Sequence, residues 1–159
     1  MLGLAEILMM GMLTGSRALT PMAMLCWFIY TGRISVKGTW AEWAAMLASA
    51  IIFSVMALGE IAGDKMPKCP SRLAPLGLVA RAVFGGLVGG ILSLALNVRL
   101  SAGVALGVFG AIMGAFLFHS GRRWMAEMFG TDWPAALIED LVAVGGAFGV
   151  LALTAARFS

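Results

Sequence analysis

Apolar residues run through this chain in five long stretches: Leu2–Thr31, Trp40–Gly63, Leu73–Val98, Leu100–Gly121 and Trp133–Ala156. Short polar or proline-bearing joints separate them. A helix needs roughly 20 residues to cross about 30 Å of hydrocarbon, and each stretch approaches or exceeds that length. Lipid offers backbone groups no hydrogen-bond partners, so such segments are helices rather than strands. The pattern predicts an all-α, polytopic membrane protein with five transmembrane helices in a single domain, residues 1–159.

The polar interruptions refine this picture. Gly15, Ser16, Arg17 and Pro21 sit in the middle of the first stretch. Thirty helical residues would reach about 45 Å, so the segment must tilt or break, and Gly15-Ser16 is the easiest place to break. One half-helix would then end near Thr14 and a second begin near Arg17 or Ala18. The second would aim its unpaired N–H groups and positive dipole end into the membrane interior, with Ser16 able to cap it and Pro21 tolerated in its first turn. Alternatively, the helix is proline-kinked and Arg17 is neutralised by a buried carboxylate. Between the last two stretches, "GRRWMAEMFGTDWP" reads as a short surface helix around Arg122–Phe129 that stops at Gly130. Asp132 is placed to cap the next helix ahead of Pro134.

Glycine, 21 residues in all, is patterned as well as plentiful. Gly103, Gly107, Gly110 and Gly114 form one seam down the fourth stretch. The third carries Gly85-Gly86 and Gly89-Gly90, and the fifth Gly145-Gly146 and Gly149. Small residues at this spacing let helix backbones approach closely in membranes, either within one subunit or across a homodimer. "LGLAEILMMGMLTG" from Leu2 and "LGLVARAVFGGLVG" from Leu76 share six of fourteen positions, a candidate internal repeat.

Composition supports the membrane reading: 61% of residues are hydrophobic and 12% charged, with a mean hydropathy of +0.97, against about 25% charged in soluble domains. Four of the five Trp fall where helices should meet the membrane interface. The start, Met1 to Glu6, lacks the basic region and cleavage site of a signal peptide, so the first segment is expected to stay. Cys26, Cys69 and His119 have no zinc-ligand spacing. The net charge of +3 comes without a basic run interleaved with aromatics, so nucleic acid is not an expected partner. Nor does positive charge orient the chain: Arg33, Lys37, Arg99 and Arg157 face Lys65, Lys68, Arg72, Arg122 and Arg123 across the membrane.

Topology parity gives a sharper expectation. With five crossings, Glu6, Glu60 with Asp64, Arg81, and Glu139 with Asp140 all fall toward one side. Glu60 and Asp64 share a helical face. Ionisable groups at depth cost about 2.5–3.5 kcal/mol each by insertion scales, so several together imply mutual pairing or a wet cavity. Arg17 cannot shed its charge and should lie against Glu60, Asp64, Glu139 or Asp140.

The elements "GSRALTP", "GEIAGDKMP", "RLAPLGLVARAVFGGLVGG" and "IEDLVAVGGAF" resemble a bacterial integral-membrane family catalogued as domain of unknown function 4126. The resemblance implies a compact multi-helix protein of the bacterial inner membrane and no settled activity.

Three functions compete. A small transporter or channel would use Ser16, Arg17, Glu60, Asp64, Lys65, Arg81, Glu139 and Asp140 as the site for a small ion or anionic solute. A membrane-embedded enzyme acting on a lipid-linked phosphate could hold Mg²⁺ at the carboxylates. It lacks any P-loop, histidine-nucleophile or Gly-x-Ser-x-Gly pattern. A scaffold or assembly subunit would use the charges only to lock helices. Transport leads; no catalytic residue and no cofactor is implied, and a metal stays open.

Overall fold

A computed structural model describes residues 2–63 and 75–158, with the side chains of Phe129 and Asp132 excepted. The described residues form six α-helices: α1 Leu2–Ser16, α2 Thr20–Tyr30, α3 Leu47–Gly63, α4 Pro75–Ala95, α5 Leu100–Phe129 and α6 Asp132–Ala155. One 3₁₀ turn, Glu42–Ala45, precedes α3. Three helices, α4, α5 and α6, are long and apolar enough to cross a membrane. They match the last three expected crossings. At 17 residues α3 is shorter than the expected second crossing.

The first crossing is not one helix. The chain breaks over Arg17–Leu19, close to where Gly15-Ser16 and Pro21 predicted, and α2 then turns back along α1. Contacts with α6 establish the reversal. Glu6 of α1 bonds Thr154 near the end of α6, while Ser16 bonds Glu139 near its start. Along α2 the order inverts: the ring of Phe28 lies 5.6 Å from that of Phe148, more than two helical turns beyond Glu139. Trp27 donates its indole N–H to Ser54 of α3, whose later residue Glu60 reaches Ala18 and Leu19. Thus α1 and α2 form a helical hairpin whose two outer ends lie together. Its tip lies about 21 Å along α1 from Leu2 at 1.5 Å per residue.

The hairpin corrects the expected position of Glu6. Parity had placed it with Glu60 and Glu139, but it lies at the far end of α6, bonded to Thr154 and paired with Arg157. The surface helix expected around Arg122–Phe129 is likewise not separate. Those residues continue α5 without a break until Gly130, whose φ of 68° ends the helix. Helix α6 begins at Asp132, with Thr131 in the N-cap position.

Helix α5 is the spine. On one side Gly103 and Gly107 meet Gly85, Gly89 and Ser93 of α4, which runs antiparallel to it. On another, Gly107, Gly110 and Gly114 meet Leu8, Gly11 and Met12 of α1, which runs parallel. A Cβ at Gly11 would lie 2.7 Å from the Gly107 carbonyl oxygen, and one at Gly85 would lie 2.6 Å from the same atom. The alignment that matches Leu2 with Leu76 also matches Gly11 with Gly85. The candidate repeat therefore has a physical counterpart: two helices of opposite direction use equivalent glycines against one point of α5. The seam is used within the chain.

Around this spine Ile7, Met10, Met22, Leu25, Ile91, Leu92 and Leu151 are fully buried. The outward faces are also apolar. Ile51, Val55 and Leu58 of α3, Val79 and Val83 of α4, and Leu141 and Leu153 of α6 are all exposed, as lipid contact requires and water would penalise.

Candidate functional site at the hairpin tip

The break between α1 and α2 is where the sequence loses helical partners. Arg17 still donates its N–H to the Leu13 carbonyl at 3.0 Å, closing the last turn of α1. The next two N–H groups, at Ala18 and Leu19, lie past the end of α1 and before α2, where the chain leaves the helical path. They are satisfied from another helix. The Glu60 carboxylate accepts Ala18 N–H at Oε1, 2.8 Å, and Leu19 N–H at Oε2, 3.0 Å. Glu60 thus caps α2 from α3. Ser16 was the expected cap, but it is the last residue of α1 and faces away. Its hydroxyl donates to Glu139 Oε1 at 2.9 Å.

Arg17 is 1% exposed and paired with Asp140 through Nη2, so a carboxylate expected from the sequence is its partner. Glu139, 2% exposed, takes Ser16 on one oxygen and faces Arg122 Nη1 of α5 at 3.6 Å on the other. Adjacent residues on a helix point about 100° apart. Glu139 and Asp140 can therefore serve two different partners from neighbouring positions.

Arg81 is buried on α4, one turn before Gly85, and donates to the Gly77 carbonyl at 3.1 Å. Gly85 packs on Gly107 and Ala111 of α5, and Gly15 on Ala111 and Ala115. Arg81 therefore occupies the tip's level on the other flank of α5. Asp64 and Lys65, the remaining expected site residues, lie outside the described residues, as does Cys69.

The unpaired N–H groups expected at the start of the second half-helix are those of Ala18 and Leu19, and the acceptor they find is Glu60. One contributor is unexpected: Arg122, which the sequence places on a surface helix. A signal existed, since it lies seven residues after Ala115 and eleven after Ala111. Both spacings return a helix to nearly the same face, the one packed on Gly15. Among the described residues, no three His, Cys, Asp or Glu side chains are grouped to hold a metal.

The arrangement can hold opposite charges together in an apolar surround, and it presents a helix N-terminus to an anion. No protein-family model, curated protein or solved structure matches this chain.

Proposed function

We propose that this chain is a small transporter or channel of the bacterial inner membrane, with the hairpin tip as its site for an ion or small solute. The observation that carries the reading is the hairpin itself. The chain runs about 21 Å into the apolar body, turns, and holds Arg17 and Glu139 there at 1% and 2% exposure. Intramembrane charge of this kind is costly and marks ion and substrate pathways. Interrupted helices with their ends at mid-depth form such sites in transporters. In this reading α3 to α6 cross the bilayer and α1–α2 re-enters from one face. The motifs that resemble domain of unknown function 4126 supply Ser16, Arg17, Glu60, Glu139 and Asp140. We infer membership of that family on the same ground.

The test is flux in sealed vesicles reconstituted with purified protein, loaded in turn with protons, monovalent cations and small anions. Glu139→Gln and Asp140→Asn should abolish flux while the protein keeps its elution profile and helix content. Folded variants with unchanged flux would remove the tip from the pathway.

A scaffold or assembly subunit is the second reading, and one observation favours it. The Arg17–Asp140 and Arg122–Glu139 pairs join the hairpin tip, α5 and α6, which is what helix locking alone requires. Exchanging Arg17 and Asp140 should then restore stability and every phenotype together. Under transport, stability returns and flux does not.

A further inference from the structure

Buried hydroxyls in this protein have partners, with one exception among the described residues. Thr14 donates to the Met10 carbonyl, Ser16 to Glu139, Ser93 to the Gly90 carbonyl and Thr154 to the Val150 carbonyl. Thr20 is 5% exposed and its Oγ1 has none. A helical Thr usually bonds a carbonyl of the preceding turn, but Thr20 is the first residue of α2 and no helical turn of α2 precedes it. Burying an unbonded hydroxyl is unfavourable, so its position calls for a second explanation.

Direction supplies one. Helical Cα–Cβ bonds lean toward the helix N-terminus, so the Thr20 Cβ leans back toward the tip and rotation about χ1 can bring its hydroxyl there. The Ala18 and Leu19 N–H groups open onto the same end. Those two groups already hold an anion, the Glu60 carboxylate, one oxygen each. Glu60 is half-buried and three residues from the end of α3, where a side chain can swing clear. The resident carboxylate thus uses two donors at the tip, and the Thr20 hydroxyl, buried without a partner on the next residue, is available as a third.

We propose that the hairpin tip is a binding site for a compact soluble oxyanion, of the carboxylate or phosphate class. The anion displaces the Glu60 carboxylate from the Ala18 and Leu19 N–H groups and takes the Thr20 hydroxyl as its third donor. This rests on the transport reading and names its substrate class. Glu60 is then an internal competitor that keeps the site closed to anions when no substrate is present. An oxyanion is favoured over a halide because the donors are matched to oxygens of one group: two N–H bonds are already taken by the two oxygens of a single carboxylate.

The experiment titrates purified protein in detergent with inorganic phosphate, acetate and phosphatidic acid, read by calorimetry. Glu60→Gln should bind phosphate or acetate about tenfold more tightly than wild type. Adding Thr20→Val, which keeps the side-chain shape, should reverse the gain by about tenfold. An unchanged affinity in Glu60→Gln, or indifference to Thr20→Val, overturns the site. So does binding of phosphatidic acid with neither soluble anion. If Glu60→Gln fails to fold, Glu60→Asp, one methylene shorter, takes its place with the same expectations. If that also fails, wild type must bind phosphate below about 100 mM and lose it in Thr20→Val, and the absence of binding overturns the site. Vesicle flux separates this from the function it rests on. The expected binding pattern without flux of protons, cations or anions keeps the site and removes transport. Proton or cation flux without oxyanion binding keeps transport and overturns the site.

Discussion

Arg17 holds Asp140 through its guanidinium Nη2, tying the turn of the α1–α2 hairpin to the early part of α6. Removing the cation takes this partner from a carboxylate that is 16% exposed, and breaking a buried pair costs about 3–5 kcal/mol. Arg17→Ala should lower the thermal midpoint in detergent, followed by tryptophan fluorescence. Arg17→Ala combined with Asp140→Asn should recover part of the loss, because both charges of the pair are then removed together. If Arg17→Ala unfolds at the wild-type temperature, the pair does not hold the hairpin.

Glu60→Ala should loosen the tip without unfolding the bundle. It removes the acceptor of two N–H bonds, each worth about 1.5–3 kcal/mol when one partner is charged. The half-buried position places the net loss toward the low end of that range. Hydrogen exchange read by mass spectrometry should rise in peptides covering Ala18 and Leu19. Protection over α4 and α5 should be unchanged. Uniform loss of protection would mean that Glu60 supports the whole fold.

Glycines along α5 should divide sharply from those on open faces. Gly107→Leu and Gly110→Leu insert side chains against backbone: a Cβ at Gly110 would already lie 2.7 Å from the Leu8 carbonyl oxygen. Overpacking costs about 1–3 kcal/mol or more, so both variants should aggregate or melt early in detergent. Gly59 of α3 has nothing within 4 Å of an added Cβ. Gly59→Ala should gain about 0.5–1 kcal/mol from reduced backbone freedom. Equal stability of all three would remove the seam as a packing surface.

The hairpin predicts sidedness. In a protein with Cys26 and Cys69 replaced by Ala, Leu4→Cys and Thr31→Cys should react with an impermeant maleimide from the same face of sealed vesicles. A single crossing through Leu2–Thr31 would put them on opposite faces. Labelling from opposite faces would therefore overturn the reversal at Arg17–Leu19.

The sequence by itself determined the helical class, the apolar segments and the site of the first break. These follow from hydrophobic run length, from proline's missing N–H and from glycine's weak helix propensity, all of which act locally. It also required a carboxylate for Arg17, because a guanidinium keeps its charge wherever it lies. Whether the chain continued or reversed after the break was not legible. A kink and a hairpin use the same residues, and they differ only in whether α2 packs against α6 alongside α1. Glu6 shows the consequence, since parity counted one crossing where the chain makes a turn. Arg122 shows another: Gly121 and Trp124 suggested a membrane boundary, whereas α5 continues as one helix and carries Arg122 to Glu139. The capture of Glu60 by two backbone N–H groups had no residue code at all. Only the tertiary structure decided it, because those donors exist solely where one helix has ended and the next has not yet begun.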